Sequence, residues 1–141
     1  MSRLSIEDRV LIEDLFIRYT CALDAGDVDT VVGSFAEDGT LESPAVGVRA
    51  GRGEIREFAE RFARYQQGGS QLRHVISNLR VSVDGDRGSA KCYLVVFQTR
   101  DGQSRLLAPG HYDCQLVRTG GEWLFQRRVV TMDHDYVLEG L

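Results

Sequence analysis

Hydrophobic periodicity changes once along this chain, near residue 70, and that change limits the fold more than any single motif. Before it, apolar residues recur three and four apart. Ile6, Val10, Leu11, Leu15, Phe16, Tyr19 and Leu23 predict a helix over 5–23. Ser5 with Asp8 three residues later resembles a capping box. Ala25-Gly26-Asp27 ends this helix, and Asp27 caps a short second one through Val28, Val31, Val32 and Phe35. Asp38-Gly39 predicts a turn, with short extended pieces near 40–43 and 46–50 around Pro44. Ile55, Phe58, Ala59, Phe62 and Tyr65 predict a helix over 54–66, stopped by Gly68-Gly69. After it, stretches 72–83, 88–99, 104–118 and 122–131 are rich in Val, Leu, Tyr, Phe and Cys. Asp84-Gly85-Asp86, Asp101-Gly102 and Gly120-Gly121 join them as hairpin turns. Helices first and an antiparallel sheet after predict an α+β fold. The expectation is one domain over 1–141, a helical layer on a curved, mostly antiparallel sheet, with the early extended pieces at an edge.

Both faces of stretch 88–99 are apolar: Ala90, Cys92, Leu94 and Val96 on one, Tyr93, Val95 and Phe97 on the other. A sheet covered on one side only has a cleaner polar face. A partner subunit is therefore expected on the second face, making a homodimer or higher homo-oligomer. A sheet that curls around helices leaves a cone, which suits a small hydrophobic molecule. The net charge of −4, without a dense Lys/Arg cluster, argues against nucleic acid. No apolar run approaches membrane-spanning length. Met1-Ser2-Arg3-Leu4 lacks the apolar core of a leader. Three widely spaced cysteines, Cys21, Cys92 and Cys114, are no disulfide framework. They read as buried reduced thiols, which fits a cytoplasmic location.

Chemistry should show as polar groups where the pattern wants apolar ones. His74, Ile76, Asn78 and Arg80 share one strand face, opposite Arg73, Val75, Ser77 and Leu79, and the pattern leaves open which is inward. His111 lies opposite Tyr112 and Cys114 in the same way. Asp24 ends the first helix, where the helix dipole disfavours it, so a specific partner would account for it. Arg127 and Arg128 stand together in an apolar strand. Asp133-His134-Asp135 has no further ligand nearby in sequence, so no metal is expected. Gly51-Arg52-Gly53 is too short for a phosphate loop.

These residues resemble the SnoaL-like branch of the NTF2-like superfamily over nearly the whole chain. The resemblance rests on Tyr19 to Asp27, Phe35-Ala-Glu-Asp38-Gly-Thr, Gly53 to Phe58, Arg73-His74-Val-Ile-Ser-Asn78, and Trp123 with Arg127-Arg128. It implies a cone-shaped fold. The superfamily holds dehydratases, isomerases, cyclases, hydrolases and non-catalytic members. Compared with ketosteroid isomerase, Tyr19 matches the oxyanion-hole tyrosine, while Ser43 and His111 stand where that family has its two aspartates. Compared with scytalone dehydratase and the dehydrochlorinases, Asp24 and His74 match the Asp–His dyad, and Phe97 falls nearest a second histidine. Compared with the bile-acid dehydratases, Tyr19, Asp24 and His74 match catalytic residues, and Arg127 or Arg128 matches a late arginine.

The resemblance thus implies a cofactor-independent, dehydratase-type lyase with His74, Asp24 and Tyr19 catalytic. His111, Arg127, Arg128 and Phe97 would contact substrate. The alternatives are an isomerase, cyclase or hydrolase in the same pocket, or a non-catalytic binding or assembly module. A hydrolase would need Glu42 or Asp113 in the pocket to hold an attacking water.

Overall fold

The computed structural model describes residues 4–141, so Met1–Arg3, expected to carry no leader, lie outside the described residues. Helix α1 spans Ile6–Ala25, α2 Val28–Gly33 and α3 Gly51–Gln67. Strand β1 spans Phe35–Ser43, β2 Gly47–Ala50, β3 Ser70–Asp84, β4 Arg87–Arg100, β5 Gln103–Thr119 and β6 Glu122–Met132. The six strands lie in the order β2-β1-β6-β5-β4-β3, antiparallel except for the parallel β1–β6 pair. The helices pack on one face of this sheet and give the expected α+β cone.

Local chemistry sets the boundaries. Ser5 Oγ accepts the Asp8 N–H and Asp27 accepts the Thr30 N–H, so both helices begin at side-chain caps. Gly26 ends α1 at φ 73°, a left-handed geometry that costs glycine little. The Asp101-Gly102 and Gly120-Gly121 pairs have positive φ throughout, which suits two-residue hairpin turns. The core between layers includes Ile12, Leu15, Phe16, Leu23, Phe35, Ile55, Leu72, Leu94, Leu116 and Phe125, all buried.

Asp38-Gly39 is not a turn but lies inside β1. Pairing of β1 with β6 jumps from Phe35↔Phe125 to Thr40↔Arg127, so the chain bulges there instead of reversing. A Cβ on Gly39 would meet the Phe125 carbonyl oxygen at 2.9 Å, and this close approach demands glycine. Cys92 and Cys114 are buried, but Cys21 is exposed, because it falls outside the buried stripe of α1. Among the described residues no helix is long and apolar enough to cross a membrane.

Candidate active site

Asp24 and His74 meet where the C-terminal end of α1 crosses β3. Asp24 Oδ1 lies 2.6 Å from His74 Nδ1, and Asp24 Oδ2 accepts the His74 backbone N–H at 2.9 Å. The partner expected for a carboxylate at a helix C-terminus is therefore present. Both oxygens hold one residue, which fixes the position of the ring. A carboxylate can only accept, so Nδ1 carries the proton and Nε2 keeps its lone pair when the ring is neutral. Among the described residues Nε2 makes no hydrogen bond. The two side chains are 9% and 11% exposed. Gln71 braces the same junction by donating to the Asp24 carbonyl oxygen at 2.8 Å.

The interior holds a second unusual group. Arg128 is 0% exposed, and among the described residues it has no carboxylate partner. Its Nη1 points to Cys114 Sγ at 3.7 Å, while Nε and Nη2 have no hydrogen-bond partner. Aromatic faces surround it: the guanidinium carbon lies 3.6 Å from the Tyr112 ring centroid, 4.1 Å from Tyr19 and 4.6 Å from Phe125. Burial works against its charge, but Tyr112, Cys114 and Tyr19 outweigh burial and raise its pKa. Cation–π contacts of this kind contribute about 0.5–2 kcal/mol each. Leaving charge-bearing donors buried and unpaired still costs several kcal/mol. Burial also raises the Tyr19 hydroxyl; Arg128 pulls it back, and the Asp24 carboxylate adds a smaller upward push. Tyr19 thus feels the charges of both Arg128 and Asp24. Burial pushes the Cys114 thiol up to about 12.

The strand irregularities decide which residues reach this interior. Between β5 and β6 the pairing runs from Leu116↔Phe125 to Gln115↔Arg127, leaving Gln126 as an extra residue. This bulge turns Arg128 inward beside Cys114 and Arg127 outward, where it donates to Glu42 at 3.0 Å. In β3 a bulge between Ser77 and Arg80, with Asn78 at φ 56°, does the same for Leu79. His74, Ile76, Leu79 and Val81 are the more buried residues there, so Asn78 and Arg80 do not share the His74 face.

Three residues expected to contact substrate lie elsewhere. Arg127, His111 and Phe97 are all exposed on the outer face of the sheet. His111 and Phe97 obey the plain two-residue alternation, which places Tyr112 and Val96 inside instead. The carboxylates a hydrolase would need are also outside: Glu42 pairs with Arg127, and Asp113 lies 3.8 Å from Lys91. Tyr112, Phe16 and Phe125 around Arg128 were not singled out as site residues. The signal for Tyr112 was its shared face with Cys114, two residues on.

The SnoaL-like domain model matches residues 4–129. The uncharacterized protein Rv2910c of Mycobacterium tuberculosis is 29% identical over 140 residues, covering 93% of this chain and 89% of its own. An NTF2-like protein with a cystatin-like fold from Novosphingobium aromaticivorans is 24% identical at a TM-score of 0.83, covering 96% of this chain and 91% of its own. A protein provisionally named a scytalone dehydratase, from the same organism, is 18% identical at a TM-score of 0.80, covering 92% and 86%. These two structures are similar in fold.

Proposed function

The chain belongs to the SnoaL-like domain family, and on that premise we propose that it is a dehydratase-type lyase working by general acid–base β-elimination. The observation that carries this reading is the 2.6 Å contact from Asp24 to His74 Nδ1, which leaves Nε2 as the base. His74 Nε2 takes the proton from the carbon next to a substrate carbonyl. Charge moves onto the carbonyl oxygen, where Arg128 Nε and Nη2 have donors to spare and Tyr19 supplies a hydroxyl. The bond from the β-carbon to its hydroxyl then breaks, and the leaving oxygen takes the proton back from the imidazolium as water. Asp24 steadies that imidazolium through the same contact. The apolar residues packed around Tyr19 and Arg128 favour a small hydrophobic hydroxylated or cyclic substrate. The chemistry asks for no metal or organic cofactor.

The test is a panel of small cyclic β-hydroxy carbonyl compounds, followed by the absorbance of the conjugated product. Turnover that His74→Gln abolishes supports the proposal. Turnover unchanged in His74→Gln sinks it. A second reading, a binding module, draws on the closed interior: Arg128 is fully buried and both dyad side chains are nearly so. Equal ligand affinity with turnover in neither protein would favour that reading.

We also read the outer sheet face as a self-association surface for a second copy of this chain. Val75, Tyr93, Phe97 and Leu106 are exposed on neighbouring strands there, with Tyr93 at 61%. Contiguous exposed apolar groups of this kind mark interaction sites. Light scattering after size exclusion measures it directly.

A further inference from the structure

Most arginines near the helices are paired with acids. Arg9 meets Glu13, Arg18 meets Asp14, Arg49 meets Glu57, Arg56 meets Asp29, and Arg118 meets Asp8 and Asp86. One region departs from this. Beyond the end of α3, two adjoining depressions of about 480 and 380 Å³ share Tyr65, Arg100 and Glu139 in their walls. Together they carry Arg61, Arg64, Arg100 and Arg105 against two carboxylates, Asp101 and Glu139. Among the described residues none of these four arginines forms an ion pair. Each volume lies within the roughly 300–1,000 Å³ usual for small-molecule sites.

The groove has a built anchor. Gln98 is 3% exposed, although it lies on the apolar inner face of β4. Its side-chain oxygen accepts Arg105 Nε at 3.3 Å and Nη2 at 3.1 Å, and its nitrogen donates to the Tyr65 hydroxyl at 2.6 Å. A neutral amide therefore holds Arg105 in place without cancelling its charge. A carboxylate at position 98 would have held the arginine equally well and neutralised it. Because its oxygen is occupied by Gln98 as donor, the Tyr65 hydroxyl keeps its own proton to offer.

The groove also continues the sheet face that carries His74. Outward along β3 and β4, the pair His74↔Val96 is followed by Leu72↔Gln98 and then Ser70↔Arg100. At about 3.3 Å per residue, the Gln98 pair lies roughly 7 Å from the dyad and the Arg100 pair roughly 13 Å.

We propose that this arginine groove binds a phosphate or pyrophosphate group, with Arg105 and Arg100 as its main contacts and Arg61 and Arg64 at its rim. Guanidinium forks match such oxyanions with paired hydrogen bonds. The assignment stands apart from the acid–base reading of the dyad. It needs only the groove.

Titrating inorganic pyrophosphate into the intact protein at low salt, followed by backbone NMR shifts and calorimetry, tests it. The expected result is saturable binding, with shifts centred on residues 64–70 and 98–105. Arg105→Ala, Arg100→Ala and the double Arg61→Ala/Arg64→Ala should each weaken it about tenfold or more, the scale of losing a charge-assisted hydrogen bond. The rim pair lies on an exposed helix face, so its variant keeps the test sound should a strand variant fold poorly. Arg73→Ala on the outer face and His74→Ala should both leave binding unchanged. An alkyl diphosphate that binds more tightly than pyrophosphate, while its parent alcohol does not bind, identifies the anion as the handle of a larger molecule. Tighter pyrophosphate identifies the free anion. No saturable binding, equal loss in Arg73→Ala, or shifts centred on Arg128 would overturn the assignment.

Discussion

Arg127 and Arg128 are adjacent in β6, yet they belong to opposite faces of the sheet. The outer arginine sits in solvent with a carboxylate partner, Glu42. The inner one sits among aromatic rings with two donors unused. The same contrast runs through the whole sheet. The outer face holds groups that water or another copy of the chain can satisfy. The inner face holds a carboxylate, an imidazole and a guanidinium removed from water, where each interaction is stronger and each unmet need costs more. What distinguishes the faces is therefore whether a charged group is left incomplete, since both carry charged residues.

The sharpest way to break this comparison is to remove His74, the proposed base. His74→Ala should lower turnover about 10²–10⁴-fold on any substrate the protein converts, the usual share of a positioned acid–base group. An equal loss from His111→Ala on the outer face would erase the distinction. Next come the two arginines. Taking a lone charge out of water costs several kcal/mol, a cost that an apolar side chain of similar length does not carry. Arg128→Met should thus raise the midpoint of urea unfolding while impairing turnover, a sign that Arg128 is kept for function. Arg127→Met should change stability by no more than about 0.5 kcal/mol.

The thiols offer a third comparison. Burial lifts Cys114 from the usual value of 9.0 to about 12, so at pH 8 it stays protonated and sealed. Disulfide-exchange reagents should label Cys21 quickly and Cys114 only on unfolding, as peptide mass spectrometry would show. The linkage has a definite sign. Below pH 9 both states hold the Cys114 proton and its contribution to stability is complete. Between about 9 and 12 only the unfolded thiol ionises, so stability falls as pH rises through that window. Urea midpoints of the wild type and Cys114→Ala across that window would measure it. The smallest effect is expected outside: Tyr93→Lys should shift folding stability by less than about 0.5 kcal/mol while reducing self-association in light scattering.

The elements were largely legible in the sequence because periodicity and turn chemistry are local. The predicted 5–23 and 54–66 helices correspond to Ile6–Ala25 and Gly51–Gln67, and the four late strands differ from prediction by no more than two residues at either end. The misreadings in β1, β3 and β6 share one cause. Period-2 reasoning assumes an unbroken ladder, and extra residues at Gln126 and near Asn78 break it. No pattern within β6 says which arginine turns inward, since the bulge is fixed by pairing with β5 and β1. Asp38-Gly39 failed likewise, because its bulge depends on the Phe125 carbonyl oxygen across the sheet. The dyad joins residues 50 apart in sequence. Its members were visible singly, and the family resemblance put them together. Gln98 was a further unread local clue, an amide ending the row Ala90, Cys92, Leu94, Val96.

The bulge at Gln126 works as an address. It, and not the chemical identity of either arginine, decides which one is delivered to the interior. Sliding the extra residue beyond position 128, with every amino acid unchanged, would deliver Arg127 to the aromatic cage and return Arg128 to solvent. Anyone grafting this site onto another sheet must therefore transplant a kink in the backbone along with the side chains. A scaffold with a regular strand at that point would receive the right residues on the wrong side.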